Sequence, residues 1–220
     1  MTYFSKTFVQ FFKDLSKNNS TAWFDENRKT YEKEVKKPFE LFVAEMIKRI
    51  GKDDPEVKIA AKDAIFRINK DIRFSKDKTP YNTHMSANIS AYGRKNKAYP
   101  GLYFMLSPEG ISIFGGAYML EKDQLEKMRG LIAKEGAKFE KAIGDKNFVK
   151  HFGKLQGETM KRIPEEWKAA HAKQPLIANK QFYFQAKLPA SLITSDKLAD
   201  EIMEYYKAAK PVNEFLKRAF

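Results

Sequence analysis

Between Ile65 and Lys97 the sequence sets eight basic residues against two acidic ones. Three of them are arginines, Arg67, Arg73 and Arg94, in a chain with only 8 Arg beside 33 Lys. Arginine is informative because its planar fork suits phosphate and carboxylate, whereas surface lysine often serves solubility alone. On a strand, Arg67, Asp71 and Arg73 share one face, at about 6 to 7 Å per pair of residues. A carboxylate between two guanidiniums locks their forks and leaves further donors facing outward. Next comes Ser75-Lys76-Asp77-Lys78-Thr79-Pro80-Tyr81, a turn able to aim successive backbone N–H groups at an anion. His84 follows, the one nearby side chain whose ordinary pKa suits proton transfer near neutrality.

The expectation is a site for a small anionic ligand bearing phosphate or carboxylate. Its binding residues are Arg67, Asp71, Arg73, Ser75, Lys76, Asp77, Lys78, Tyr81 and His84. His84 and Asp71 are the catalytic candidates, but no complete catalytic set is legible, so whether the protein is an enzyme stays open. The sequence leaves any cofactor unknown. Two other readings compete. One is a nucleic-acid-associated module using the basic field with Tyr92, Tyr99 and Tyr103 beside Arg94, Lys95 and Lys97. The other is a structural or interaction protein in which Arg67–Asp71–Arg73 is an ion network buried under a helix.

Composition narrows the field. The 220 residues carry 43% hydrophobic and 14% aromatic side chains, enough apolar surface to offset chain entropy, and one domain spanning 1–220 is the default. Net charge is +13, a field that attracts polyanions without specifying any. The absence of cysteine removes disulfides, thiolate zinc sites and Cys nucleophiles. His151 and His171 have no ligand-spaced partner, so no metal site is expected. No Gly-x-Ser-x-Gly elbow occurs. Gly115-Gly116 lacks phosphate-loop spacing and reads as a turn at a strand end. The start of the chain is amphipathic, and the longest nonpolar run, Ile113 to Leu120, is too short to span a bilayer. These features predict a cytoplasmic protein with no membrane contact.

The elements that must position the basic segment follow from periodicity. Phe4, Phe8, Phe11, Phe12 and Leu15 recur at helical spacing, and Asn18-Asn19-Ser20 ends that helix and caps the next. A charged helical stretch runs from Thr21 to about Ile50, with Pro38 dividing or kinking it. Ala64 to Phe74 alternates as a strand, with Phe66, Ile68, Ile72 and Phe74 on the opposite face from the charges. Met85–Tyr92, Gly101–Leu106 and Ile111–Phe114 continue as an antiparallel meander. Asp123–Ala133 is a helix, and His151 to Ala178 shows no clear period. Phe182–Leu188 is a last strand, a helix capped by Thr194 or Ser195 runs to Ala209, and Pro211 opens a final one. The fold class is α+β, a central, mostly antiparallel sheet of about four to six strands flanked by N-terminal and C-terminal helices.

The run from Ile65 to Tyr81 resembles the signature of the family known as domain of unknown function 2461. Asn18-Asn19, Trp23-Phe24, Arg28, Tyr31, Pro38-Phe39, Gly115-Gly116, Leu125 to Arg129 and Pro211 to Leu216 match its pattern too, so the resemblance covers essentially the full chain. It implies that the Arg67–Tyr81 run matters, and brings no activity, cofactor or partner with it. Lys70 stands where the family commonly has Arg, and Asn82 where it commonly has Lys. Pro164-Glu165-Glu166-Trp167 and His171-Ala172 replace its later Pro-x-Gly and His-Pro features.

Overall fold

The computed structural model describes residues 1–220 and is an α+β fold, with helices at both ends of the chain. Four antiparallel strands form one sheet in the order β1-β2-β3-β4: β1 Met85–Ile89, β2 Leu102–Ser107, β3 Gly110–Ala117 and β4 Phe182–Leu188. The first three are the expected meander. Gly110, at φ +143°, makes the β2–β3 turn, a conformation that glycine tolerates without strain.

Four helices separate β3 from β4: α6 Lys122–Lys134, α7 Gly136–Ile143, α8 Lys146–Phe152 and α9 Glu165–Lys173. Gly115 and Gly116 lie inside β3, not in a turn. A Cβ at Gly115 would fall 2.5 Å from the Phe184 ring, and one at Gly116 would fall 2.2 Å from the Phe182 carbonyl oxygen. The pair of glycines lets β4 approach.

The chain divides into two compact units. The first comprises residues 1–95, 103–113 and 187–204. Its early helices are α1 Lys6–Lys17, α2 Thr21–Glu26, α3 Arg28–Thr30, α4 Lys37–Asp53 and α5 Ala61–Ala64. A π turn, Tyr31–Lys36, leads into α4 with helical dihedrals throughout, so Pro38 does not divide the helix and its missing N–H falls just after the widened turn. The unit's core is aromatic. Phe4 and Phe8 have ring centroids 4.5 Å apart, and Phe42 and Phe104 lie 5.6 Å apart, all four fully buried. Offset and edge-on ring pairs of this kind add to plain area burial.

The second unit comprises residues 96–102, 114–186 and 205–220. Phe148 and Phe152 both pack on Phe184, at 5.1 and 4.6 Å between centroids. The stretch from His151 to Ala178, opaque in sequence, holds α9, a 3-10 turn and isolated bridges from Gln156 to Tyr183 and from Thr159 to Asn179.

The final helix, α10 Leu198–Lys217, runs through Pro211 without a break. The expected new helix at Pro211 does not occur. Val212, Asn213, Phe215 and Leu216 are all buried, so packing carries the helix past the hydrogen bond that proline removes. No helix is long and apolar enough to cross a membrane.

Asn213 is a polar tie within the second unit. Its Oδ1 accepts the Gly116 N–H at 2.9 Å, and its Nδ2 donates to the Gly101 carbonyl at 3.2 Å. Asn213→Ala leaves both groups unpaired and is expected to lower the unfolding free energy by about 1 to 3 kcal/mol in urea denaturation. An unchanged denaturation midpoint contradicts that role.

Candidate functional site

The Arg67–His84 segment lies in the first unit, but its opening run is not a strand. After α5 the chain meets residues 80–87 only at two isolated antiparallel bridges, Ile65 with Ala87 and Asn69 with Tyr81. Three amides hold this ribbon. Phe66 N–H donates to Ser86 O at 3.0 Å, Asn82 N–H to Ile68 O at 2.7 Å and Lys70 N–H to Pro80 O at 2.8 Å. Pro80 has no N–H to return, so a regular ladder cannot continue. Of the four apolar positions Phe66, Ile68, Ile72 and Phe74, only Ile68 is buried, and Phe74 is 95% exposed.

The ribbon is fixed at Tyr81. Its ring is buried and stacks on Phe24, with centroids 4.1 Å apart and planes at 16°. Asn19, beyond the end of α1, grips the Tyr81 backbone from both sides. Its Nδ2 donates to the Tyr81 carbonyl at 2.9 Å, and its Oδ1 accepts the Tyr81 N–H at 3.1 Å. Tyr81, expected among the ligand contacts, thus anchors the loop. Asn82 adds a tie, its Nδ2 donating to the Ile68 carbonyl at 3.1 Å. Asn19 was legible in sequence only as a helix end, because a side chain reaching 62 residues along the chain leaves no local period.

Between these ties the loop bonds to itself. Asp71 accepts the Arg73 Nε–H at 2.9 Å and Nη2–H at 2.7 Å, a bidentate pair, and also takes the Arg73 backbone N–H at 3.3 Å. These bonds hold the Asp71 carboxyl down to about 2. Asp77 is held far below the ordinary carboxylate range by Lys70 first, then by the N–H and hydroxyl of Thr79. Lys70 Nζ reaches Asp77 Oδ2 at 2.7 Å and Thr79 Oγ1 at 2.6 Å. The Asp77 N–H goes to Ser75 Oγ at 3.1 Å, and Lys78 Nζ donates to the Ile72 carbonyl at 3.0 Å. The row of free backbone donors expected from Ser75 to Tyr81 is therefore broken, since the N–H groups of Asp77, Thr79 and Tyr81 are already engaged.

What remains outward is a set of cations. Arg67 and Lys76 are exposed and hold no ion pair or side-chain hydrogen bond. Arg67 acts on Asp71 only through space, so the carboxylate is locked by one guanidinium and not two. The Arg73 side chain is 76% exposed, with its Nη1 outside the pair with Asp71. The ion network is thus at the surface and not buried under a helix.

His84 is half-buried, with no hydrogen bond at either ring nitrogen. Burial pushes its pKa below the ordinary 6.5, Lys70 adds to the depression and Glu109 opposes it. Asp71 is committed to Arg73, so the two catalytic candidates are not paired. The aromatic row also changes: Tyr99 is buried, Tyr103 is half-buried and engages Ser86, and only Tyr92 is exposed. No group of three or more His, Asp or Glu side chains is arranged to hold a metal ion.

One polar cluster in the second unit had no signal beyond the family pattern. The Arg129 side chain is buried, its Nε donating to the Ile177 carbonyl at 3.1 Å and its Nη1 to Glu126 at 2.8 Å. Trp167 Nε1 donates to the other Glu126 oxygen at 3.0 Å, closing a structural knot.

A family model described as "Conserved hypothetical protein (DUF2461)" matches residues 7–215. No curated protein and no solved structure matches the chain.

The His84 environment makes a pH prediction. Above pH 6.5 the ring is neutral in both folded and unfolded chains and contributes no pH dependence. As pH falls from 6.5 toward the lower folded-state value, the unfolded chain takes the proton first, so stability falls. His84→Gln is expected to flatten that part of the wild-type loss in urea denaturation at stepped pH. Parallel wild-type and variant profiles through the window contradict a neutral, desolvated ring.

Proposed function

We propose that this chain, which belongs to the DUF2461 family, binds a phosphate- or carboxylate-bearing anion on the Arg67–Arg73–Lys76 face of its tied loop. The observation that carries the reading is the exposed Asp71–Arg73 pair. An ion pair this exposed adds little to stability, because water and salt screen it. Its physical effect is to fix one edge of the guanidinium, leaving Nη1 and the neighbouring Arg67 and Lys76 available to an anion. Fixing the fork beforehand lowers the ordering cost that binding otherwise carries.

Asp77 serves the same end. By taking Lys70 and Thr79 it stiffens the tip, so that Lys70 is engaged internally while Arg73 keeps Nη1 outside its pair with Asp71. His84, which feels the charge of Lys70, is the group beside this segment whose ordinary pKa suits proton exchange, and it is where chemistry would enter if the bound anion reacts. The solvent-exposed setting of the cations makes binding depend on salt, because exposed charges are screened over about 8 to 10 Å at ordinary ionic strength.

A thermal-shift titration with pyrophosphate tests the proposal. At a hundredfold excess over the dissociation constant, a single site stabilises by about 2.7 kcal/mol, or roughly 5 to 10 °C for a chain of this size. Arg67→Ala and Arg73→Ala are each expected to lose most of that shift while melting near the wild type without ligand. Equal shifts in wild type and both variants would remove the site from this loop.

A further inference from the structure

Phe74 is the most exposed aromatic side chain of the protein, at 95%, against 55% for Tyr92 and 48% for Tyr118. It sits at the tip of the tied loop, between the anchored Arg73 and the turn begun by Ser75. Large rings are ordinarily among the residues that bury, and one held fully in water beside cations stands ready for a partner. The Arg73 guanidinium lies 5.8 Å from the ring centroid, so a cation fixed by Asp71 flanks an otherwise open π surface.

We propose that Phe74 is a base-stacking platform and that the anion held by this loop is the backbone of a single-stranded nucleic acid. This rests on the anion-binding reading of the same loop. Proteins that hold single strands without sequence preference combine cations that follow the phosphates with aromatic faces on which bases stack. Both halves are present here within a few residues: Arg67, Arg73 and Lys76 for phosphate, and Phe74 for a base. The chain's +13 charge adds a long-range field of the matching sign.

A single strand fits better than a free nucleotide. Small ligands gain affinity where most of their surface is enclosed, about 70 to 90%. Phe74 stands clear of the fold and encloses nothing, so affinity must accumulate over several nucleotides. A membrane fits less well, since Arg73 and Ser75 flank the ring and Asp71 and Asp77 share its loop. An inserting surface presents a continuous apolar face.

The test is fluorescence anisotropy with a dye-labelled oligothymidylate, titrated with the full chain over a range of salt. Phe74→Ala is expected to weaken binding roughly tenfold, as the loss of one stacked base does, and Phe74→Trp is expected to restore it. The salt slope should stay unchanged in Phe74→Ala and fall by about 0.7 in Arg67→Ala, one phosphate contact fewer on a single strand. Because Phe74 touches so little of the fold, its loss should leave the melting temperature unchanged. Oligonucleotide binding equal in wild type and Phe74→Ala overturns the proposal. So does a Phe74-dependent sedimentation with phosphatidylserine vesicles in the absence of any oligonucleotide effect. If the pyrophosphate shift still needs Arg67 and Arg73 in that case, the stacking platform alone is wrong; if it does not, the anion site falls as well.

Discussion

One carboxamide fixes the geometry of the loop. Asn19 takes both the N–H and the carbonyl of Tyr81, 62 residues away, while the Tyr81 ring stacks on Phe24. Every charged residue from Lys70 to Lys78 lies on the loop that the Asn69–Tyr81 bridge closes at this tie, and Arg67 sits two residues before it. Phe24 is itself seated against Phe11 and Tyr31, with the Arg28 guanidinium 5.3 Å from its ring centroid. The aromatic core of the N-terminal helices therefore reaches the loop through two side chains. A backbone group left unpaired in such a setting costs more than the bond itself gains, so the tie is strongly specified.

With its base fixed, the tip can use its acidic residues as internal struts. Asp71 and Asp77 together absorb Arg73, Lys70 and three hydrogen-bond donors of the loop. This arrangement exchanges some positive charge for rigidity. It also explains why the segment is basic beyond what its internal pairs require: Arg67 and Lys76 remain over, and they face water with Phe74. A loop stabilised only for its own sake has no need to hold an aromatic ring in solvent.

Much of the fold was legible in the sequence, and the losses have physical causes. Phe182–Leu188 is the observed β4, and the meander strands shift by a few residues, because alternating burial along much of β2, β3 and β4 leaves a clear trace, while β1 is buried at every position. Ala64–Phe74 shows the same alternation but forms only two bridges, since Pro80 on the returning chain lacks a donor and Phe74 finds nothing to pack on. Pro211 looked like a helix start, yet the buried stripe of α10 continues through it. For the site, residue types indicated the Arg–Asp pairing and the turn. They could not show that Tyr81 is an anchor, that the turn's donors close on its own side chains, or that Asn19 is its clamp. Those facts depend on contacts between distant segments, which local spacing does not encode.

The central claim is that anions bind this chain at the tied loop and not diffusely on its lysine-rich surface. Amide chemical-shift mapping by NMR during a pyrophosphate titration tests it most directly. The account predicts saturable shifts concentrated at Arg67 and from Arg73 to Lys78, with the remaining lysine-bearing helices nearly still. Small, non-saturating shifts spread evenly over those helices, with the loop no different from the rest, would contradict it.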